Sequence, residues 1–392
     1  MTSAGEPVAN RPLLAALCNI VMFFYAVFLG AMGVLLPFIG ETFGLGKEAQ
    51  GRLFPANFGG FIVGVLVCGY LSDRIGRKAT LLAGIALYAG GLTLFGVAPN
   101  FGLALLASAL VGAGSGAMEA VASALVADLY PERRAFLLAV IQVSFGLGAS
   151  SSPSLSHTLL LGGTSWRTLY YALAAANVLL FLAIASQKVP RAAAHEAVDF
   201  ATLRRVLQNP VFGMICLLQA LYVGAEVGFF SWMPSYFEEG LPNGAAWAGR
   251  VATVFWISMT VGRFLTVVLV ERIPLLRLIL FLTVGGGIAS SLTPFMQTPE
   301  QAMLCVALTG LFFSGMFSLI LSVAGERFHT VAGTAFGGVV ASGGLGGAVL
   351  PWVMGAITTS AVGWKGALLA VPLSLVPLFA FTLYLQKSPQ KT

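Results

Sequence analysis

The sequence predicts an all-α integral membrane protein: twelve transmembrane helices in two six-helix bundles. Three observations carry that expectation. Only 9% of the 392 residues are charged while 58% are hydrophobic, whereas a soluble domain carries about 25% charged residues. Apolar stretches of roughly 20 residues, the length that crosses a bilayer as a helix, recur along the whole chain. Residues of the first half also reappear in the second half at a constant spacing.

Spans are expected near 13–39, 52–72, 79–98, 101–127, 135–161 and 166–187, and again near 211–237, 247–270, 275–296, 301–325, 331–358 and 364–386. The first apolar run, Leu13 to Ile39, exceeds the about 7–15 residues of a signal-peptide core and reads as a span. The division that follows is an N-terminal bundle over 1–187, a cytoplasmic linker over 188–210 and a C-terminal bundle over 211–392. Within the linker Phe200, Leu203 and Leu207 share one helical face, which predicts a short amphipathic helix at the membrane surface.

Basic residues set the orientation. Lys47, Arg52, Arg167, Arg250 and Lys365 fall on one side, Arg263 lies within a span, and the rest of the 21 Lys and Arg fall on the side of the termini. The positive-inside bias therefore places both termini in the cytoplasm, with a bacterial inner membrane as the expected location. The net charge of +6 is a topology signal, so nucleic acid is not an expected partner. The expected partners are the bilayer, a small-molecule substrate and protons, and the chain is expected to act as a monomer.

The two halves match in register. Gly51-Arg52 recurs as Gly249-Arg250, Gly64 as Gly262, Gly112 as Gly310 and Pro153 as Pro351, each 198 residues on. Tyr25 and Pro37 recur as Tyr222 and Pro234 at 197. Such a parallel duplication suits alternating access around a site between the halves. Other chemistries find no support. Cys18, Cys68, Cys216 and Cys305 are isolated in apolar segments, which supports neither a disulfide framework nor a metal site. There is no G-x-x-x-x-G-K-[ST] loop and no room for a nucleotide-binding domain, so ATP-driven pumping is excluded within this chain. No enzyme activity and no cofactor are expected.

The candidate site residues are the polar groups that spans can ill afford. A charge near the bilayer centre costs roughly 2.5–3.5 kcal/mol on insertion scales, so a retained carboxylate is usually used. Glu119 belongs to a helical stripe of Ser108, Gly112, Ser115 and Ser123; small residues in such a stripe also serve close helix packing. Glu119 maps onto Phe317 in the repeat and so breaks the internal symmetry. Span 7 carries Gln219, Tyr222 and Glu226 on one face, and span 8 carries Thr253, Trp256, Thr260 and Arg263. Glu119 is the expected proton carrier and Glu226 the second candidate, with Arg263 a partner for either. A neutral hydroxylated substrate is held by amides, hydroxyls and aromatic faces, which makes Asn19, Tyr25, Asn57, Glu119, Gln142, Gln219, Tyr222, Trp256 and Arg263 the expected binding set. One intramembrane Arg is too little positive charge for a multiply charged phosphate ester. Trp166 and Trp364, at span ends, are expected as interfacial anchors.

Gly69-Tyr-Leu-Ser-Asp-Arg-Ile-Gly-Arg-Lys78 resembles the signature loop of the major facilitator superfamily, and Asp128-Leu-Tyr-Pro-Glu-Arg-Arg134 resembles its companion element. The resemblance implies the major facilitator fold and a gating role for Gly69, Asp73, Arg74, Gly76, Arg77 and Asp128, with Arg74 and Asp128 as the expected pair. Gly116-Ala-Met-Glu119, Gln142-Val-Ser-Phe-Gly-Leu-Gly-Ala149 and Tyr222-Val-Gly-Ala-Glu226 are similar to segments of the fucose:proton symporter group and its hexose-carrying relatives. That resemblance implies a sugar and proton role for Glu119 and a sugar contact for Gln142. Span 1 departs from that group in having no acidic residue, which leaves Asn19 and Tyr25 as its polar candidates. The leading expectation is a secondary active transporter that takes up a small polar solute such as a sugar with protons. The alternative is a proton-coupled exporter of drug-like or lipophilic compounds, whose span-5 signature is partly matched by Gly146-Leu-Gly-Ala-Ser-Ser-Ser-Pro153.

Overall fold

In the computed structural model of the protein, residues 10–188, 205–328 and 332–387 are described, and they form helices without a strand. The helices of the first half are α1 (Arg11–Phe43), a short α2 (Lys47–Gly51), α3 (Leu53–Arg74), α4 (Arg77–Val97), α5 (Phe101–Leu129), α6 (Arg134–Leu161) and α7 (Trp166–Ala185). The second half comprises α8 (Pro210–Gly240), α9 (Ala248–Val270), α10 (Leu275–Leu292), α11 (Pro299–Phe313), α12 (Met316–Arg327), α13 (Ala332–Thr358) and α14 (Gly363–Lys387). Eleven segments among the described residues are long and apolar enough to cross a membrane. The remaining expected span is α6, whose 28 residues suffice in length but carry Gln142, Ser144, Ser150–Ser152, Ser154, Ser156 and His157. The tenth expected span is interrupted at Ser314–Gly315 and so appears as α11 and α12.

Helix starts follow local chemistry. The first amides of a helix lack intrahelical partners, and short polar side chains supply them. Asn100 accepts from the Leu103 amide at 2.9 Å, and Asn209 accepts from the Val211 amide at 2.9 Å with Pro210 in the first turn. Gly76 turns the chain between α3 and α4 at φ +96°, a conformation in which a side chain would be strained. In the linker, Phe200 and Leu203 lie outside the described residues. Residues 205–208 are helical, with Val206 buried and Leu207 60% exposed.

The chain packs as two compact units. Unit 1 contains the chain up to Leu29, Ala56–Ala149 and the segment from Gly162; unit 2 contains Gly30–Pro55, Ser150–Leu161 and the second half. This grouping follows packing, whereas the division expected at 187 and 211 follows the repeat.

Within unit 1, Gly60 and Gly64 of α3 face the carbonyl oxygens of Ala109 and Ala113 on α5. In return Gly112 and Gly116 of α5 face the carbonyls of Asn57 and Phe61 on α3, and an added Cβ at any of the four would overlap those oxygens. Lipid offers no hydrophobic drive for helix association, so close backbone approach at small residues supplies the packing instead. Unit 2 repeats the arrangement: Gly262 of α9 faces the Leu311 carbonyl of α11, and Gly310 of α11 faces the Phe255 carbonyl of α9. These four positions lie 198 residues beyond Gly64, Ala113, Gly112 and Asn57. Gly148 against the Phe23 carbonyl is likewise answered by Gly346 against that of Ala220. The duplication therefore extends to the contacts themselves.

Trp166 differs from its expected role. It is buried against Phe95 and Tyr170, at ring distances of 5.8 and 5.6 Å, because the start of α7 turns its aromatic face into the bundle. Inside unit 2, α2 seats on α13 and α8. Lys47 Nζ lies 2.6 Å from Glu239, and Trp232 donates from Nε1 to the Pro351 carbonyl at 2.8 Å. Ser154 Oγ donates to the Gly249 carbonyl at 3.1 Å and lies 2.8 Å from Thr253 Oγ1.

Gly112→Ala and Gly310→Ala should each lower stability by about 1–3 kcal/mol, because a methyl group forces the helix pair apart. Gly59→Ala, whose Cβ would meet nothing within 4 Å, should be neutral or mildly stabilising. Thermal unfolding of the purified protein in detergent checks the contrast.

Candidate functional site

Unit 1 holds a polar and aromatic cluster where α1, α3 and α6 meet. Asn19 accepts from Ser144 Oγ at 2.7 Å and donates to the Ala15 carbonyl at 2.8 Å, tying α1 to α6. Tyr25 is buried, 6.3 Å from the Phe61 ring and 5.5 Å from that of Phe145. Asn57 is buried and donates to the Ser108 carbonyl at 3.1 Å, tying α3 to α5. Gln142 is half-buried on α6, one turn before Phe145. Asn57 thus spends an amide proton between helices, while Asn19 reaches across only as an acceptor and donates within α1, a use that their sequence positions did not reveal.

Glu119 stands differently. It is half-buried in the body of α5, one turn beyond the Gly116 contact with α3. Among the described residues its carboxyl group has no hydrogen-bond or ion-pair partner. Its neighbours on the helix, Met118, Val121 and Ala122, are fully buried apolar groups. A carboxyl in such surroundings that no cation holds is the arrangement a reversible proton acceptor requires.

Unit 2 assembles a second cluster on one face of α8. Gln219 is fully buried, and neither its Oε1 nor its Nε2 has a hydrogen-bond partner among the described residues. Gly343 of α13 lies against its side chain. One turn on, Tyr222 is fully buried and donates from Oη to the Phe313 carbonyl at 2.9 Å. Glu226, a further turn along, is buried beside the Tyr222 hydroxyl, and the charge of Arg263 from α9 reaches both groups. Tyr222 and Glu226 thus share one face of α8 within reach of the Arg263 charge, while Arg263 Nη2 itself lies 3.9 Å from Met259 Sδ. Trp256 packs at 5.0 Å from Phe230 and 5.7 Å from Phe255.

At the 69–78 loop, Arg77 rather than Arg74 is the ion-pair partner of Asp128. Arg77 Nε lies 3.0 Å from Asp128 Oδ2, and its Nη1 donates to Ser72 Oγ at 2.6 Å. The reason is the Gly76 turn, which directs the first residue of α4 back toward the end of α5, while Arg74 on the last turn of α3 is exposed. Lys78 caps the end of α7, donating to the carbonyls of Ala185 at 2.7 Å and Gln187 at 2.6 Å. The side chains of Asp73 and Gly69 lie outside the described residues. Sequence reasoning missed Ser144, Phe313 and the Lys47–Glu239 pair. Two of these are serine or backbone partners with no signature, and the third joins residues far apart in the chain.

Fold and polar clusters together define a multi-pass membrane transporter. The Major Facilitator Superfamily profile matches residues 18–328, and the chain belongs to that superfamily. It is 26% identical to the L-fucose-proton symporter of Escherichia coli (strain K12), with 96% of this chain and 94% of that protein covered. It is 21% identical to the glucose/mannose transporter GlcP of Bacillus subtilis (strain 168), with 82% of each covered. In fold it is similar to the crystal structure of FucP in the outward conformation, with a TM-score of 0.70, 21% identity, and 97% of this chain and 100% of that chain covered.

Pairing through Arg77 has a measurable consequence. A double-mutant cycle of Arg77→Gln and Asp128→Asn should give a coupling of about 1–2 kcal/mol in thermal stability, as for a partly buried charged hydrogen bond. The parallel cycle of Arg74→Gln with Asp128→Asn should stay below about 0.5 kcal/mol.

Proposed function

We propose that the chain performs proton-coupled symport of a small polar solute, a sugar in the first instance, by alternating access. One observation carries this reading: Glu119 is a carboxyl group inside a membrane span with no partner among the described residues. A structural carboxylate at that depth would be paired, because an unpaired one is costly to retain. In this reading Glu119 takes a proton on one side of the membrane, binds substrate hydroxyls with the same carboxyl group, and gives the proton up on the other side. Gln219 supplies an amide with both donor and acceptor unspent, suited to a hydroxyl that donates and accepts at once. The named activities of the E. coli and B. subtilis relatives, a fucose-proton symporter and a glucose/mannose transporter, support the substrate class.

In this reading gating falls to the 69–78 loop with Asp128, where Arg77 and Asp128 hold α4 to α5 and Asp73 and Arg74 belong to the same gate. Both termini are cytoplasmic in this reading, and the protein works as a monomer in a bacterial inner membrane.

In proteoliposomes with an imposed proton gradient, Glu119→Gln should abolish uphill accumulation while retaining substrate exchange and parent-like thermal stability. Undiminished accumulation would overturn the proton-carrier role. Gln219→Leu should weaken sugar binding by roughly 3–10-fold, the loss of one neutral hydrogen bond. Isothermal titration against a monosaccharide panel reads this directly.

A further inference from the structure

Tyr222 has one hydroxyl proton and two neighbours that can use it. The first is the carbonyl of Phe313, which accepts it at 2.9 Å. Phe313 is the last residue of α11, immediately before the interruption at Ser314–Gly315. The final carbonyls of a helix have no intrahelical partner, and in a membrane each must be satisfied locally. Tyr222 does so from a neighbouring helix. The second neighbour is Glu226, one turn along α8 and beside the same hydroxyl. An ionised carboxylate only accepts hydrogen bonds, whereas a protonated one also donates. With Glu226 protonated, its O–H is directed at Tyr222 Oη, the Tyr222 proton remains on Phe313, and every group is satisfied. With Glu226 ionised, carboxylate and carbonyl compete for one proton, and the charged acceptor makes the stronger bond.

The corresponding segment of the first half has no such break. The counterpart of α11–α12 is α5, continuous from Phe101 to Leu129, and Ser314 and Gly315 correspond there to Gly116 and Ala117. Small residues surround the break: Ser314 is buried, Gly315 lies against Thr266 of α9, and Gly262 lies against Ser314. Of the charged and titratable groups that reach Glu226, Tyr222 comes from its own helix and Arg263 from α9.

We propose that Tyr222 is a positioning residue that couples the protonation of Glu226 to the interruption between α11 and α12. Loss of the Glu226 proton redirects the Tyr222 hydroxyl from the Phe313 carbonyl to the carboxylate, and the break loosens. Regain of the proton restores the bond to Phe313 and tightens it. The proton is neither created nor lost in the exchange: one leaves Glu226 for solvent, and the hydroxyl hydrogen only changes acceptor. This rests on the reading of the chain as a proton-coupled transporter, but its test needs no substrate.

Hydrogen exchange of the full chain in lipid nanodiscs, followed by mass spectrometry over 311–318 from acid to alkaline pH, is the experiment. The intrinsic pH dependence is removed by reference to 113–120 in the unbroken α5. The parent should show exchange at the break rising about three- to tenfold with pH, the effect of one hydrogen bond on an opening equilibrium. Glu226→Gln, whose amide donates as the protonated acid does, should remain at the slow level throughout. Tyr222→Phe should remain at the fast level throughout. A parent profile flat with pH, a Glu226→Gln profile that still rises, or a Tyr222→Phe profile equal to the parent's would each overturn the coupling. Any of these outcomes would leave the Glu119 assignment untouched, while a failure of the Glu119→Gln transport result would leave this one standing.

Discussion

Backbone meeting backbone is the contact on which the rest of this molecule depends. With lipid as apolar as the side chains, two helices gain little by hiding leucines from it, so they hold together where their main chains approach closely. The α3–α5 pair achieves this with four glycines lying on each other's carbonyls, and α9–α11 repeats the contact with two of them. A carbonyl oxygen cannot yield to an added methyl as a flexible side chain can. These positions therefore fix the helix spacing in both halves, and the groups between them are free to differ. Glu119 and its counterpart Phe317 occupy such a permissive position.

Polar side chains in the spans fall into two kinds by what they bond. Asn57 donates across to the Ser108 carbonyl and Asn19 accepts across from Ser144 while donating to Ala15 in its own helix; both contribute to a frame. Glu119 and Gln219 have no such partner among the described residues, and a buried amide left unbonded costs about 1–3 kcal/mol. In the proposed transport reading, substrate or a proton completes the bond for part of the cycle. The distinction between frame and function here is one of satisfied against unsatisfied valence, rather than of residue type.

Much of the fold was legible because it is written in coarse quantities. Low charge, recurring apolar length and a register of 198 residues require no side-chain geometry, and the structure returns them down to matched glycine–carbonyl contacts. The site was legible only in part. Helical spacing placed Gln219, Tyr222 and Glu226 on one face correctly, since i, i+3 and i+7 need only the helix itself. It could not tell that Arg77 rather than Arg74 reaches Asp128, because one positive-φ glycine redirects the chain between them. Nor could it find the interruption at Ser314–Gly315, a dipeptide with the same small-residue composition as many unbroken stretches. Trp166 was misplaced for a related reason: position at a span end does not say which way a helix turns its faces.

Lys78 closes the end of α7 from the first turn of α4, bonding the carbonyl of its last residue, Ala185, and that of Gln187 just beyond it. Helix ends ordinarily fray because their last carbonyls lack intrahelical partners. Here the end of α7 is fastened to the first turn of α4, two residues past the turn at Gly76. A substitution that moves Lys78 would therefore release carbonyls in a helix more than a hundred residues away in sequence.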